Sequence, residues 1–175
     1  YKKAADVGLM GMGYDEKFGR TKEGIDIFHG IVTSEEFAQG CGGVSASLMS
    51  HNISIPLIQA LGTEEQKEKF IPPVIKGEKI AALAMTEPSG GSDVAGLRSK
   101  AVQDGKNWIV NGQKVWTSGA HFSDFGILVV RHDPGLEKHK GLTFFFVDMK
   151  SPGIEVKPIK QLTGGSSFNE VYFND

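Results

Sequence analysis

The sequence predicts an α+β protein with a helical N-terminal domain, residues 1–79, followed by a β-rich domain, residues 80–175. Apolar residues recur at three- and four-residue spacing in the first part, as on one face of an amphipathic helix. Short apolar runs separated by glycine and proline turns dominate the second part, as is typical of strands. The two patterns meet near Lys79, where we place the domain boundary.

Helix signals in the first part come from periodicity and from capping residues. Ile25, Phe28 and Val32 share one predicted helix face, which we expect to be buried. Residues 63–66, Thr-Glu-Glu-Gln, carry the hydroxyl and the third-position amide of a capping box, so a new helix begins there. We expect it to end at residues 72–73, because proline lacks an amide donor and disfavours helix in the preceding residue.

Strand signals in the second part include a strong hairpin motif. Asn111 and Gly112 both accept the positive φ of a type I′ turn, so separate strands are expected on either side. Three further strands are predicted at residues 125–130, 142–147 and 168–173. The first two are continuous apolar runs, as expected of strands that are covered on both faces. The residues alone leave open whether these strands form a barrel or a sandwich.

Composition limits the functional classes. The 175 residues carry a net charge of −2 with a pI near 6.2, so no field gathers nucleic acid or an anionic membrane. No apolar run is long enough to predict a membrane span. A single cysteine, Cys41, excludes an internal disulfide and favours a cytoplasmic location, or the mitochondrial matrix in a eukaryote. Because the sequence starts at Tyr1 and stops soon after a predicted strand, we expect a piece of a longer chain.

Common catalytic and binding motifs are weak or absent. Residues 40–45 approach a phosphate-binding glycine turn, but no strand precedes them, so a helix–helix turn is the favoured interpretation. No Gly-x-Ser-x-Gly elbow supports a serine hydrolase. The histidines lack metal-ligand spacing and are interpreted as surface or capping residues: His29, His51, His121, His132 and His139.

Two segments carry chemical information. Residues 84–93 run from a strand end into a loop of small and hydroxyl residues, whose free amides suit a flat heterocycle or a diphosphate. An ordinary strand-to-strand loop explains this segment equally well. Residues 114–120 place Trp116 and two hydroxyls at a strand end, where the default role of an aromatic residue is core packing.

Taken together and in order, these segments resemble the acyl-CoA dehydrogenase family. The family's Thr-Glu-Pro-x-x-Gly-Ser-Asp loop matches residues 86–93, and its Asn-Gly-x-Lys-x-Trp stretch matches residues 111–116. Residues 61–67 resemble its N-terminal helices, and residues 141–147 and 169–173 resemble its later barrel strands. The resemblance covers essentially the whole chain.

The resemblance implies an all-α N-terminal domain, a mainly antiparallel β-barrel domain that binds FAD, and a C-terminal helical domain beyond this sequence. It implies that Ser92 also lies near the CoA moiety and that Ser118 approaches the hydride-accepting flavin nitrogen. Threonine is commoner at the position of Ser118, and isoleucine at that of Thr117. The implied cofactor-binding residues are Leu83, Met85, Thr86, Gly91, Ser92, Trp116, Thr117 and Ser118.

The implied reaction introduces a trans-2 double bond into an acyl-CoA thioester, with electron-transfer flavoprotein or a similar acceptor and a homo- or hetero-tetrameric assembly. The family's base lies in the C-terminal helices, so no catalytic residue is assigned here, and Glu87 is expected to be structural. Residues 161–166 lack an arginine that the family often carries, which leaves the domain contact made there open. Together with residues 115–118 they resemble a bacterial branch of the family often associated with bulky or unusual acyl groups, so the substrate stays open. The alternatives are an oxidase or monooxygenase of the same fold, a flavin-binding non-catalytic subunit, and a β-sandwich binding module.

Overall fold

The computed structural model describes residues 1–18, 24–49 and 51–175, without the side chains of residues 49, 51 and 52, and divides into two compact units, Tyr1–Ile80 and Ala81–Asp175. The side chain of His51, one of the histidines considered above, thus lies outside the described residues. The first unit contains the helices α1 (Lys2–Asp6), α2 (Ile27–Gly40), α3 (Gly42–Met49), α4 (His51–Leu61) and α5 (Glu64–Ile75). The second unit contains the strands β1 (Ala81–Ala84), β2 (Lys100–Asp104), β3 (Asn107–Lys114), β4 (Phe125–Arg131), β5 (Leu142–Asp148), β6 (Ile154–Ile159) and β7 (Phe168–Phe173).

Helix α5 begins as predicted but ends later than predicted. Thr63 caps it, and both hydrogen bonds of the capping box with Gln66 are present. The helix then continues through Pro72 and Pro73 to Ile75, so the predicted end was wrong. Burial explains the difference, because Ile71, Val74 and Ile75 all lie in the core of this unit. The free energy gained by burying these side chains outweighs the loss of the helical hydrogen bonds that proline, which has no amide donor, cannot make.

The apolar face of α2 is not buried within its own unit, contrary to the prediction. Phe28 is 67% exposed and Val32 is 54% exposed, and no residue of α2, which is described throughout, is buried. The described core of the unit comes instead from other elements, among them Ile55 of α4 and Ile71 of α5. Ile25, the first residue of the predicted face, precedes the helix, and periodicity does not say what covers a face. A helix–helix junction is present where the turn was predicted, but only Cys41 separates α2 from α3, and residues 42–45 already belong to α3.

The sheet is a mixed, curled half-barrel, so the expectation of a mainly antiparallel barrel was wrong. Its order is β1-β4-β2-β3-β7-β6, with β5 paired to β4. Strand β1 runs parallel to β4, with Ala81 opposite Phe125, and β2 meets β4 in parallel at one residue pair. The remaining pairs, β2–β3, β3–β7, β4–β5 and β6–β7, are antiparallel. A parallel pair needs a long crossover, and the chain between β1 and β4 supplies it.

The predicted hairpin at Asn111 and Gly112 is absent, because β3 runs straight through both residues. The chain reverses instead between β2 and β3, where Gly105 has a φ of +60°. Gly112 serves close packing: a Cβ there would lie 2.2 Å from Ser99 Oγ and 2.8 Å from Ser99 Cα. The glycine therefore marks a close backbone approach within the sheet.

The other predicted strands are present. Strands β4, β5 and β7 cover the three predicted apolar segments. Strand β5 is half-buried along much of its length, and Phe144 is exposed, so its predicted cover on both faces was wrong. The core beneath the sheet is formed by Ala84, Ala101, Ala120, Leu128, Val130, Met149, Val171 and Phe173.

Candidate functional site

The loop after β1 is a tight turn that leaves its tip open. Across the turn, the amide of Glu87 donates to Gly90 O at 3.2 Å and the amide of Gly90 donates to Glu87 O at 3.1 Å. Beyond it Gly91 and Ser92 are exposed. A Cβ at Gly90 would meet nothing within 4 Å, whereas one at Gly91 would lie 3.3 Å from Thr86 Cγ2. The turn therefore presents backbone and small side chains to its surroundings.

A buried ion pair anchors this loop to the end of β3. Lys114 is 0% exposed, and its Nζ donates to Glu87 Oε1 at 2.8 Å and to Met85 O at 3.0 Å. The Glu87 carboxylate also accepts from the Arg98 amide at 2.7 Å and from the Ser99 amide at 2.9 Å. A buried charge is tolerated only when it is paired and hydrogen-bonded, and this carboxylate has three donors.

The electrostatics of the pair keep Glu87 ionised. Burial raises the pKa of the Glu87 carboxyl, but hydrogen bonds from Lys114 and from the two backbone amides outweigh burial, and the pKa lies below its usual value. Burial lowers the pKa of Lys114, and the bond to Glu87 offsets only part of this. Both Glu87 oxygens accept hydrogen bonds from the protein's own donors, an arrangement consistent with the structural role that the sequence predicts.

The segment after β3 holds Trp116 in a strained conformation. Trp116 has a φ of +60°, in the left-handed region, which costs a bulky L residue about 1–2 kcal/mol. It is also 57% exposed, and its ring meets that of Phe168 edge-on, with the ring centroids 5.9 Å apart. Trp116 is therefore not a core residue of this unit. Strain of this kind persists where the surrounding structure over-determines it and is concentrated at functional sites.

Hydrogen bonds on both sides of Trp116 fix the segment. The amides of Val115, Thr117 and Gly119 donate to Thr86 O, Asn169 O and Ser167 O, at distances of 2.9, 3.0 and 3.0 Å. Within the described part of the chain, the amides of Trp116 and Ser118 donate no hydrogen bond. The alternation leaves every second amide of this segment free for another acceptor.

The side chain of Asn169 in β7 completes the fixation. Asn169 is fully buried, and its Nδ2 donates to Thr117 O at 2.8 Å. Its Oδ1 lies 3.0 Å from Nδ1 of His121, which can donate to it. Thr117 is fully buried as well, and its Oγ1 is one of the buried side-chain atoms without a partner among the described residues.

The two predicted segments lie side by side, because the Val115–Thr86 bond and the Lys114–Met85 bond join them. Of the predicted cofactor-binding residues, Leu83, Met85 and Thr86 are half-buried, Gly91, Ser92, Trp116 and Ser118 are exposed, and Thr117 is buried. Sequence reasoning did not assign Asn169 or His121 to the site, and it interpreted His121 as a surface or capping residue. Both are polar residues beside apolar or small ones, but a single sequence does not show which strand they meet.

Comparison with known proteins identifies the family. The family model of the acyl-CoA dehydrogenase middle domain matches residues 82–175 of the sequence. The family model of the acyl-CoA dehydrogenase N-terminal domain matches residues 1–78. The chain belongs to the acyl-CoA dehydrogenase family.

Individual relatives agree with this result. The chain is 39% identical over 98% of its length to acyl-CoA dehydrogenase FadE34 of Mycobacterium tuberculosis, of which it covers 24%. It matches the acyl-CoA dehydrogenase structure from Geobacillus kaustophilus with a TM-score of 0.88 at 31% identity, covering 99% of this chain and 46% of that one. It matches the structure of the ChsE4–ChsE5 complex of M. tuberculosis with a TM-score of 0.83 at 30% identity, and the match covers 99% of this chain and 45% of that one. The chain thus spans less than half the length of each of these relatives.

Within residues 1–18, 24–49 and 51–175, no helix is long and apolar enough to cross a membrane. No three histidine, cysteine, aspartate or glutamate residues in the described ranges lie together in a way that could hold a metal ion.

Proposed function

We propose that the protein is an FAD-dependent acyl-CoA dehydrogenase that introduces a trans-2 double bond into an acyl-CoA thioester. The observation that carries this proposal is the pairing of an exposed, strained Trp116 with the adjoining Thr86 loop in a chain of this family. An exposed aromatic wall beside a loop of free amides suits a flat, polar-edged cofactor.

The residues present fit FAD. Gly90 and Gly91 leave the loop without bulky side chains, and the exposed hydroxyls of Ser92 and Ser118 can donate to oxygen or nitrogen acceptors. The free amides of Trp116 and Ser118 add two more donors. These groups recognise the polar edge and the diphosphate of such a cofactor, whereas Trp116 supplies an apolar wall.

When bound, FAD would accept the hydride that leaves the β-carbon of the substrate. Trp116 would orient the flavin ring and exclude water from it, and the Ser118 hydroxyl would donate a hydrogen bond to the ring. Met85 and Thr86 would hold other polar groups of the cofactor, with Leu83 and Thr117 supporting them, and Ser92 would contact the CoA moiety. Removal of the α-proton needs a positioned carboxylate. Glu87 is unsuited to that role, because both its oxygens are engaged within the protein.

We also propose the partners of the whole protein. Electrons pass from the flavin to electron-transfer flavoprotein or a similar acceptor, and the assembly is a homo- or hetero-tetramer. The solved ChsE4–ChsE5 complex, which contains two different chains, supports the mixed form. The preferred acyl group stays open.

The test is an FAD titration of the protein and of two tryptophan variants. Trp116→Ala is expected to weaken FAD binding at least tenfold, while the melting temperature of the FAD-free protein changes little. Trp108→Ala is the matched control, because Trp108 is also partly exposed but packs on Phe145, with ring centroids 5.3 Å apart. Equal effects of the two changes on FAD binding would contradict the proposal. Assays with acyl-CoA and an artificial acceptor, in parallel with oxygen consumption, separate a dehydrogenase from an oxidase.

A further inference from the structure

Asn169 lies in a position to control Trp116 without touching a ligand. It is fully buried, two residues before the core residue Val171 of β7. Its backbone and side chain both bind Thr117: the Thr117 amide donates to Asn169 O at 3.0 Å, and Asn169 Nδ2 donates to Thr117 O at 2.8 Å. One residue thus satisfies both main-chain groups of the residue that follows Trp116.

His121 fixes the orientation of the Asn169 amide. Its Nδ1 lies 3.0 Å from Asn169 Oδ1, so a proton on Nδ1 leaves the Asn169 NH₂ group facing Thr117 O. The His121 ring also contacts the Phe122 ring edge-on, with centroids 4.7 Å apart, which restrains it. The hydrogen bonds therefore all run one way: His121 Nδ1 donates to Asn169 Oδ1, and Asn169 Nδ2 donates to Thr117 O.

The left-handed conformation of Trp116 requires such restraint. A bulky residue leaves this region unless its neighbours are held on both sides. On the N-terminal side, the Val115 amide is bonded to Thr86 O at 2.9 Å, and on the C-terminal side Thr117 is held by Asn169. The side chain of Asn169 is the part of this arrangement that a substitution can remove without altering the backbone.

We infer that Asn169 is a positioning residue, which holds Thr117 and thereby keeps Trp116 in its left-handed conformation, aimed at the flavin. That the ligand is a flavin rests on the proposed function. The restraint of Trp116 by Asn169 rests on the structure alone. It assigns to Asn169 no contact with FAD or with the acyl-CoA.

The decisive variant is Asn169→Asp, which keeps the shape and the acceptor toward His121 but replaces the donor to Thr117 O with a carboxylate oxygen. It is made in a Trp108→Phe background, where Trp116 is the single tryptophan. For Asn169→Asp in this background, we expect the constant for quenching of Trp116 fluorescence by acrylamide to rise at least twofold. The dissociation constant of FAD should rise about tenfold, and the far-UV circular dichroism should not change. Asn174→Asp is the matched control, because Asn174 is exposed just beyond the end of β7, and neither value should change.

A second variant protects the test against misfolding. His121→Phe changes an exposed residue, retains an aromatic ring beside Phe122 and removes the donor to Asn169 Oδ1, so a smaller rise in the quenching constant is expected. If Asn169→Asp does not fold and His121→Phe leaves Trp116 quenching unchanged, the inference is overturned. It is equally overturned if Asn169→Asp folds but affects quenching no more than Asn174→Asp does.

The two proposals fail in different ways. If no variant and not even the parent protein binds FAD, while quenching still rises in the order parent, His121→Phe, Asn169→Asp, then the proposed function is wrong and the restraint of Trp116 stands. If FAD binds but its affinity does not follow Trp116 quenching, Asn169 does not act on the cofactor through Trp116.

Discussion

Removal of the buried cation should strongly destabilise the second unit. In Lys114→Met the Glu87 carboxylate keeps its bonds from the Arg98 and Ser99 amides but loses its ion-pair partner Lys114, and Met85 O loses the bond from Lys114. Breaking a buried pair by removing one partner costs about 3–5 kcal/mol. Because the two amides remain, we expect a loss near the lower end, about 3 kcal/mol in the free energy of unfolding at pH 7.

The pH dependence of that loss is the sharper part of the prediction. In the parent, the pKa of Glu87 is lowered in the folded state, so its contribution to stability is present above the unfolded pKa and is lost as the pH falls through the folded one. In Lys114→Met the strongest lowering contribution is lost while burial and the two amide bonds remain, so the pKa of Glu87 is higher than in the parent. As the pH falls, the folded variant therefore loses less of the Glu87 contribution to stability than the parent does. Its deficit should therefore shrink as the pH is lowered from 7 to 4.

Urea unfolding at pH 7 and pH 4, followed by tryptophan fluorescence, measures the difference in the free energy of unfolding between the parent and Lys114→Met. Both tryptophans, Trp108 and Trp116, lie in the second unit and report on its unfolding. Lys150→Met is the matched control: Lys150 pairs with Asp124 at 3.3 Å, but its side chain is largely exposed, and exposed pairs contribute at most about 1 kcal/mol. A deficit of Lys114→Met no larger than that of the control at pH 7, or a deficit that is the same at both pH values, would refute the reasoning.

Three further changes test other parts of the structure by the same unfolding measurements. Gly112→Ala should lose about 3 kcal/mol, because its Cβ would overlap Ser99, whereas Gly165→Ala, with no neighbour closer than 3.8 Å, should be nearly neutral; similar losses would contradict the close-approach argument. Thr63→Ala should lose about 1 kcal/mol from the helical unit, seen as loss of helical circular dichroism at lower urea, unless the capping box is not formed in solution. Thr117→Val should gain about 1 kcal/mol by removing a buried hydroxyl without a partner, and a loss of stability would mean that the hydroxyl is bonded.

Local sequence signals predicted what local physics decides. The capping box at residues 63–66 and the strands at residues 125–130 and 168–173 were found correctly, because hydroxyl geometry and apolar runs act over a few residues. The hairpin at residues 111–112 was not. An Asn-Gly pair permits positive φ but does not require a turn, and close packing against Ser99 explains this glycine equally well.

Long-range structure was predicted less well. The parallel pairing of β1 and β4 and the uncovered face of α2 depend on which elements meet, and a single sequence does not encode this in any short window. For the site, the motifs predicted two segments that the structure brings side by side, and the structural role of Glu87 stays a prediction. The left-handed Trp116 and its restraint by Asn169 arise from a contact across the sheet, so no local pattern indicated them.

The wide sequence spacing of the contacts that hold the Trp116 segment in place has a consequence for folding kinetics. Lys114 and Met85 are 29 residues apart, and Asn169 and Thr117 are 52 residues apart. Contacts of such long range form slowly, because the entropy of closing the loop is lost before the contact stabilises anything. We therefore expect the Trp116 segment to order late, and during synthesis not before β7 has left the ribosome.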